Sequence, residues 1–148
     1  HHHMGTVIET QKDTERLIEN THESVKLTLD TGHMLFAKGD SKSILQNYHE
    51  RILHVHCKDI RKQVLEKSLK EDLSFRGAFL EGAFTVPGDG CIDYQPLFNV
   101  LKNNNYSGWL VVEAEQDPAK ANPLEYAKIG YKYLTDTLKK SEIEIYKN

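Results

Sequence analysis

Apolar and polar positions along the chain fall into two rhythms. Short runs rich in Val, Leu and Ile occur at 25–29, at Ile52–Cys57 and at Trp109–Val112. Between them lie longer stretches whose apolar residues recur three and four apart. Dense apolar runs, rather than clean alternation, suit strands covered on both faces, which means a parallel sheet. A fourth, very short run at 84–86 precedes Pro87-Gly88-Asp89-Gly90. The helical stretches carry start signals. Thr10 with Asp13 forms a capping box ahead of Leu17 and Ile18, and Asp40 or Ser41 caps a helix bearing Ile44, Leu45 and Tyr48. Asp93 precedes a helix with Pro96 in its first turn and Leu97, Val100 and Leu101 inward, ended by Asn103, Asn104 and Asn105. Asn122, Pro123 and Glu125 open the last helix, whose apolar stripe reads Leu124, Ala127, Tyr131, Leu134 and Leu138. The segment 61–84 predicts a helix over Val64, Leu65 and Leu69 followed by a loop, and the polar tail 139–148 is expected to fray. Strands alternating with helices predict an α/β protein.

Composition narrows the function classes. With 148 residues, 39% hydrophobic, and 19 basic against 22 acidic side chains, the chain is neither disordered nor fibrous. Charged residues interrupt every apolar stretch, so no membrane span is expected. A pI near 6.2 without a basic run argues against nucleic acid as a partner. The two cysteines, Cys57 and Cys91, are expected to be reduced and mostly buried in a cytoplasmic protein.

In parallel α/β folds, reactive groups gather at the carboxyl ends of strands. The three strong runs end in Asp30, His56 and Glu113. A carboxylate, an imidazole and a second carboxylate at matching heights make a divalent-metal constellation. Oxygen and nitrogen donors without thiolate favour manganese, cobalt, magnesium or zinc. His54, His56 and Lys58 share one face of their strand and need polar partners there; Glu113 and Glu115 also share a face. Cys57 has the opposite parity and should face the helices. The Pro87-Gly88-Asp89-Gly90 segment is first a tight turn. His1-His2-His3 before Met4 looks at first like an affinity-tag remnant.

Five motifs in order sharpen this picture: His-x-His-Met-Gly-Thr at the start, Asp30-Thr31-Gly32-His33, His54-Val55-His56-Cys57-Lys58-Asp59, Val86-Pro87-Gly88-Asp89-Gly90 and Val111-Val112-Glu113-Ala114-Glu115-Gln116-Asp117-Pro118. Together they resemble the inosose dehydratases of inositol catabolism, within the xylose isomerase-like TIM barrels. The resemblance runs from His1 to about Leu138 and implies that His1 to His3 are native sequence at the end of the fourth barrel strand. The chain is then expected to be a single partial domain over 1–148, the C-terminal half of a (β/α)8 barrel from the end of strand four to helix eight.

The resemblance also implies roles. Asp30, His56 and Glu113 match the last three metal ligands of the fold, with His3 where the wider superfamily has Glu; manganese or cobalt is expected ahead of magnesium or zinc. Glu9, His33 and Lys58 are the expected catalytic groups, with His1, Gly88, Asp89 and Gly90 as substrate contacts. The implied reaction is dehydration of a cyclic polyol ketone, 2-keto-myo-inositol, to a trihydroxycyclohexanedione. A metal Lewis acid, a base for the proton beside the ketone and an acid for the departing hydroxyl are required. Competing expectations are a sugar ketose epimerase or isomerase of the same fold, and a catalytically incomplete half-barrel. A whole barrel takes about 250 residues. The chain alone is therefore expected to be marginal, or stabilised by pairing with another copy or with the first half of the barrel.

Overall fold

The computed structural model describes residues 1–146; Lys147 and Asn148, the last two positions of the tail expected to fray, lie outside them. In chain order the elements are α1 (Gln11–Glu19), β1 (Leu27–Asp30), α2 (Thr31–Phe36), α3 (Ser41–Tyr48), β2 (Ile52–Cys57), β3 (Asp59–Ile60), α4 (Lys62–Lys70), α5 (Phe75–Leu80), β4 (Phe84–Thr85), α6 (Gln95–Asn103), β5 (Trp109–Val112) and α7 (Pro123–Lys140). No helix among the described residues is long and apolar enough to cross a membrane.

The three long runs form one parallel sheet in the order β1-β2-β5. Its register decides the site. Asp30 stands beside His56, and His56 beside Val111 one residue pair below Cys57 and Val112. Paired residues of parallel strands project to the same face, so the ends of β1, β2 and β5 present their polar groups together. Val55 and Cys57 point the other way, into a main core with Leu29, Ile44, Leu45, Phe98, Leu101 and Leu134. Cys57 is fully buried, whereas Cys91 is exposed, against the expectation of two buried thiols, because it follows the turn at the rim. β1 and β5 are the outer strands of this sheet, and Trp109 at the start of β5 is 67% exposed.

Helix caps follow the sequence signals. Thr10 and Asp13 form both halves of the capping box, Asp40 caps α3, and Asn122 accepts from the Leu124 and Glu125 N–H groups. Four elements differ. The run at 84–86 is not a fourth parallel strand: β4 pairs antiparallel with β3, Asp59 opposite Thr85. The cause is the intervening segment, which folds as a helical hairpin of α4 and α5 and brings the chain back beside its point of departure. The expected loop after α4 therefore contains α5, capped by Ser74. Asp30 also opens an unforeseen helix, α2, by accepting the His33 N–H at 2.9 Å. Finally, α7 buries Gly130, Leu134, Thr137 and Leu138, while Leu124 and Tyr131 are 64% and 62% exposed. Gly130 sets that rotation, because a Cβ there would lie 2.6 Å from Val112 Cγ1. In the tail, α7 runs through Lys140, Ser141 is buried, and Ile143 packs on the main core.

A second, smaller core of Phe36, Ile60, Ala78, Ala83 and Phe84 lies beneath α5. Between the two cores, Asp59 Oδ1 accepts the N–H groups of Ile60, Cys91 and Ile92 at 2.7–2.9 Å and fastens the turn to the end of β2. Gly90 passes so close that a Cβ would fall 2.1 Å from Asp59 Oδ1. Gly90→Ala should therefore lower unfolding free energy by about 2 kcal/mol or more, since the clamp must open. Gly77→Ala in α5 would meet nothing nearer than Ser74 Oγ at 3.4 Å and Leu73 Cβ at 3.5 Å. That change should be neutral or stabilising by up to about 1 kcal/mol. Urea unfolding of the two variants checks the difference.

Candidate metal centre

Lys58 leaves the end of β2 with its backbone held on both sides. Thr31 Oγ1 lies 2.7 Å from the Lys58 carbonyl and 3.2 Å from its N–H, and the buried Tyr94 hydroxyl lies 2.8 Å from Thr31 Oγ1 and 3.0 Å from the same carbonyl. The aliphatic stem then crosses Gly32, where a Cβ would come within 2.7 Å of Lys58 Cγ. This explains the third residue of Asp30-Thr31-Gly32-His33: only glycine leaves room for the lysine. The ammonium, on a side chain 1% exposed, ends 2.8 Å from Glu115 Oε2, 3.2 Å from Glu113 Oε2, 3.3 Å from Asp30 Oδ2 and 3.0 Å from His33 Nε2.

Around this lysine the strand-end residues converge. His56 Nδ1 lies 2.8 Å from Glu113 Oε2 and 3.4 Å from Asp30 Oδ2. Asp30 divides its work: Oδ1 caps α2, and Oδ2 faces the cluster. Burial pushes the Asp30 carboxyl up, but His56, Lys58 and His33 outweigh it and hold the group well below the usual carboxylate range. Burial also opposes ionisation of Glu115, yet His33 and Lys58 draw it down to about 2. The Asp30 carboxylate, followed by Glu113, raises His56 against its partial burial.

Three of these atoms, Asp30 Oδ2, His56 Nδ1 and Glu113 Oε2, are buried and lack a well-formed hydrogen bond. Buried polar atoms are rarely left so, and an imidazole nitrogen close to two carboxylate oxygens is an arrangement a cation can complete. The amino-terminal segment supplies a fourth donor. His1 Nδ1 lies 2.5 Å from the His2 carbonyl, which can only accept, so Nε2 of the neutral ring keeps its lone pair; it lies 3.9 Å from Asp30 Oδ2. The ligand atoms of His1, Asp30 and His56 all lie within 4.8 Å of one another. The donor set therefore fits a divalent cation held by oxygen and nitrogen.

The structure sorts the residues singled out by sequence. Asp30, His56, Glu113, Lys58 and His33 come together. His1 and His3 exchange places: His1, expected at the substrate, stands with Asp30 and His56, while His3, expected as a ligand, groups with His33 and Glu115. His3 stacks on His33 with ring centroids 3.7 Å apart, and its Nε2 is 3.6 Å from Glu115 Oε1. Alternation along an extended segment would put both on one face; the chain instead turns at 4–5 and bends at 6–8 directly after them. Glu9 is not brought in, because its Oε2 accepts the Gly5 N–H at 2.7 Å. The Gly88-Asp89-Gly90 loop also stands apart. Gly88 lies against the Tyr133 ring, Gly90 against Asp59, and Asp89 Oδ2 is taken by Arg61 Nη2 at 2.7 Å and Thr85 Oγ1 at 2.6 Å.

Other residues of the centre were not foreseen. Glu115 stands out in the sequence by sharing a face with Glu113 and by its place in the Glu113-Ala114-Glu115-Gln116-Asp117-Pro118 motif, with no role attached. His2 is buried with Nε2 accepting the Asp30 N–H at 3.2 Å, and burial lowers it to about 4. Phe75 of α5 walls the cluster, its ring 5.0 Å from His3 and 5.8 Å from His33. Parity was the available signal for Glu115; nothing in the pattern pointed to Phe75.

This half-barrel, with its polar strand ends, belongs to the xylose isomerase-like TIM barrel family, whose model matches residues 1–137. Within it, the chain is 53% identical over 137 residues to an inosose dehydratase of Clostridium beijerinckii, covering 92% of this chain and 46% of that protein. It is 50% identical over 139 residues to an inosose dehydratase of Lactiplantibacillus plantarum, covering 93% and 46%. The chain thus spans about half the length of the curated relatives it matches. Among solved structures, the IolI protein with a binding zinc atom superposes with a TM-score of 0.64 at 21% identity, over 90% of this chain and 45% of that one, a likeness of fold.

Lys58→Met would leave Asp30, Glu113 and Glu115 facing one another without their buried cation. In EDTA it should lose about 2–3 kcal/mol of unfolding free energy. Added Mn2+ should restore more stability to this variant than to the unmodified chain, since the ion then takes over the ammonium's charge. Urea unfolding with and without Mn2+ measures both effects.

Proposed function

We propose that this chain forms the metal-binding half of an inosose dehydratase, a hydro-lyase that removes water from 2-keto-myo-inositol to give a trihydroxycyclohexanedione. The observation that carries the reading is that Asp30 Oδ2 and Glu113 Oε2, both buried, lie 3.4 and 2.8 Å from His56 Nδ1, with the His1 ring joining Asp30 and His56. Identity of 50% or more to inosose dehydratases supports the substrate class. His1, Asp30, His56 and Glu113 would hold the divalent ion, with manganese or cobalt ahead of magnesium or zinc. A divalent cation there supplies Lewis-acid stabilisation of the charge that develops on the ketone oxygen.

The remaining chemistry is proton movement by the chain's own groups. His3 Nδ1 donates to the Met4 carbonyl at 2.7 Å, which leaves the Nε2 lone pair facing the cluster. His3 is the base that takes the proton beside the ketone. The Met4 N–H lies 3.4 Å from His33 Nδ1, and His33 Nε2 lies 3.2 Å from Glu115 Oε2 and 3.0 Å from the Lys58 ammonium. His3, then an imidazolium, gives the proton it has taken to the departing hydroxyl, which leaves as water and restores the neutral ring, while His33 stacks against it at 3.7 Å between centroids and holds it in place. Lys58, raised by its carboxylates against the pull of burial, keeps its charge and stabilises the developing negative charge rather than acting as a base. Glu9, tied to Gly5, takes no part. The Phe75 ring shields one side of the site from water.

The test assays the chain alone and as the second half of a barrel completed with the first half of the Clostridium relative, following dione absorbance from 2-keto-myo-inositol. Activity should vanish with EDTA and return with Mn2+ or Co2+. Asp30→Ala and His56→Ala should each abolish Mn2+ binding. Epimerised ketose in place of dione, or full metal-dependent activity in either variant, contradicts the reading.

A further inference from the structure

The ammonium of Lys58 is a poor neighbour for a metal ion. It sits 3.3 Å from Asp30 Oδ2 and 3.2 Å from Glu113 Oε2, two atoms that the cation site needs. Its backbone is fixed by Thr31 and Tyr94 and its stem by the contact over Gly32, so the side chain cannot withdraw to solvent. What remains free is the last stretch of the side chain. Left with Asp30 and Glu113 alone, the ammonium would settle between them and occupy the cation's place, since a buried charge takes whatever counter-charge is nearest.

The shortest contact it makes is with neither of them. Glu115 Oε2 is 2.8 Å away, and the same oxygen lies 3.2 Å from His33 Nε2. Glu115 follows Glu113 by two residues, shares its parity, and emerges from the end of β5 on the side of His3 and His33 rather than that of His1 and His56. Resting on the cation-site reading above, we infer that Glu115 is a positioning residue that draws the Lys58 ammonium off Asp30 and Glu113, so that a divalent ion and a buried lysine can share one site. It does so without being a ligand itself. A carboxylate at 115 thereby holds the ammonium toward His33, away from the place the cation takes.

The experiment is a double-mutant cycle on Mn2+ affinity, read by isothermal titration of the full chain without substrate. Glu115→Gln keeps the shape and removes the charge, and should weaken Mn2+ binding about tenfold, the scale of a lost outer-shell partner. In a Lys58→Met background the same change should cost under about twofold, because there is no ammonium left to misplace. Should Lys58→Met not stay folded without metal, Lys58→Gln serves as the uncharged background. An equal tenfold loss in both backgrounds would overturn the inference, showing that Glu115 acts on the ion directly. So would a second equivalent of Mn2+ lost with Glu115→Gln, because the His3, His33 and Glu115 atoms, also within 4.8 Å of one another, would then be a second ion's ligands. Unchanged affinity in Glu115→Gln alone would overturn it too. Absence of Mn2+ binding by the unmodified chain would sink the cation reading beneath it.

Discussion

A buried lysine ammonium ringed by three carboxylates is the constraint on which the rest of this structure turns. Lys58 is 1% exposed, and its charge is tolerable only because Asp30, Glu113 and Glu115 come from two different strands to meet it. Meeting it fixes much else. The strand order β1-β2-β5 puts the two acidic strands on either side of β2. Gly32 must lack a side chain where the lysine stem passes. Thr31 and Tyr94, two buried hydroxyls, must hold the backbone at the point where β2 ends. The site is thus a balance of charges set by the sheet, and the same carboxylates that neutralise the lysine are the ones a divalent ion would claim.

That balance ties fold to chemistry. Parallel pairing brings Asp30 level with His56, so their side chains share one face without any long-range adjustment. The opposite face of the same strand, through Val55 and Cys57, is anchored in the main core. The helical hairpin of α4 and α5 adds a wall through Phe75, and Asp59 secures the turn after β4 by accepting two backbone N–H groups, those of Cys91 and Ile92. The turn at Gly88-Asp89-Gly90 is held by this clamp and by the Arg61–Asp89 pair.

Much of this was legible in the sequence. β2 and β5 have the bounds that their apolar runs predicted, and the polar ends of the three strands pointed to Asp30, His56 and Glu113, because a parallel sheet forces strand ends to one rim. The caps at Thr10, Asp40 and Asn122 were readable because they are local. What escaped was decided at a distance. His1 rather than His3 stands with Asp30 where the chain turns directly after them, and Glu9 is tied to Gly5 across the same turn. The buried face of α7 follows the close approach of Gly130 to β5 rather than the strongest apolar stripe. Glu115 was visible by parity, but its partner, a lysine on another strand, was not.

The most direct test of the central claim counts the nitrogen ligands of the bound ion. Electron spin-echo modulation of the chain loaded with one equivalent of Mn2+ should show two coordinated imidazoles, from His1 and His56, falling to one in His56→Ala. A spectrum of hydrated manganese with no imidazole modulation would contradict it.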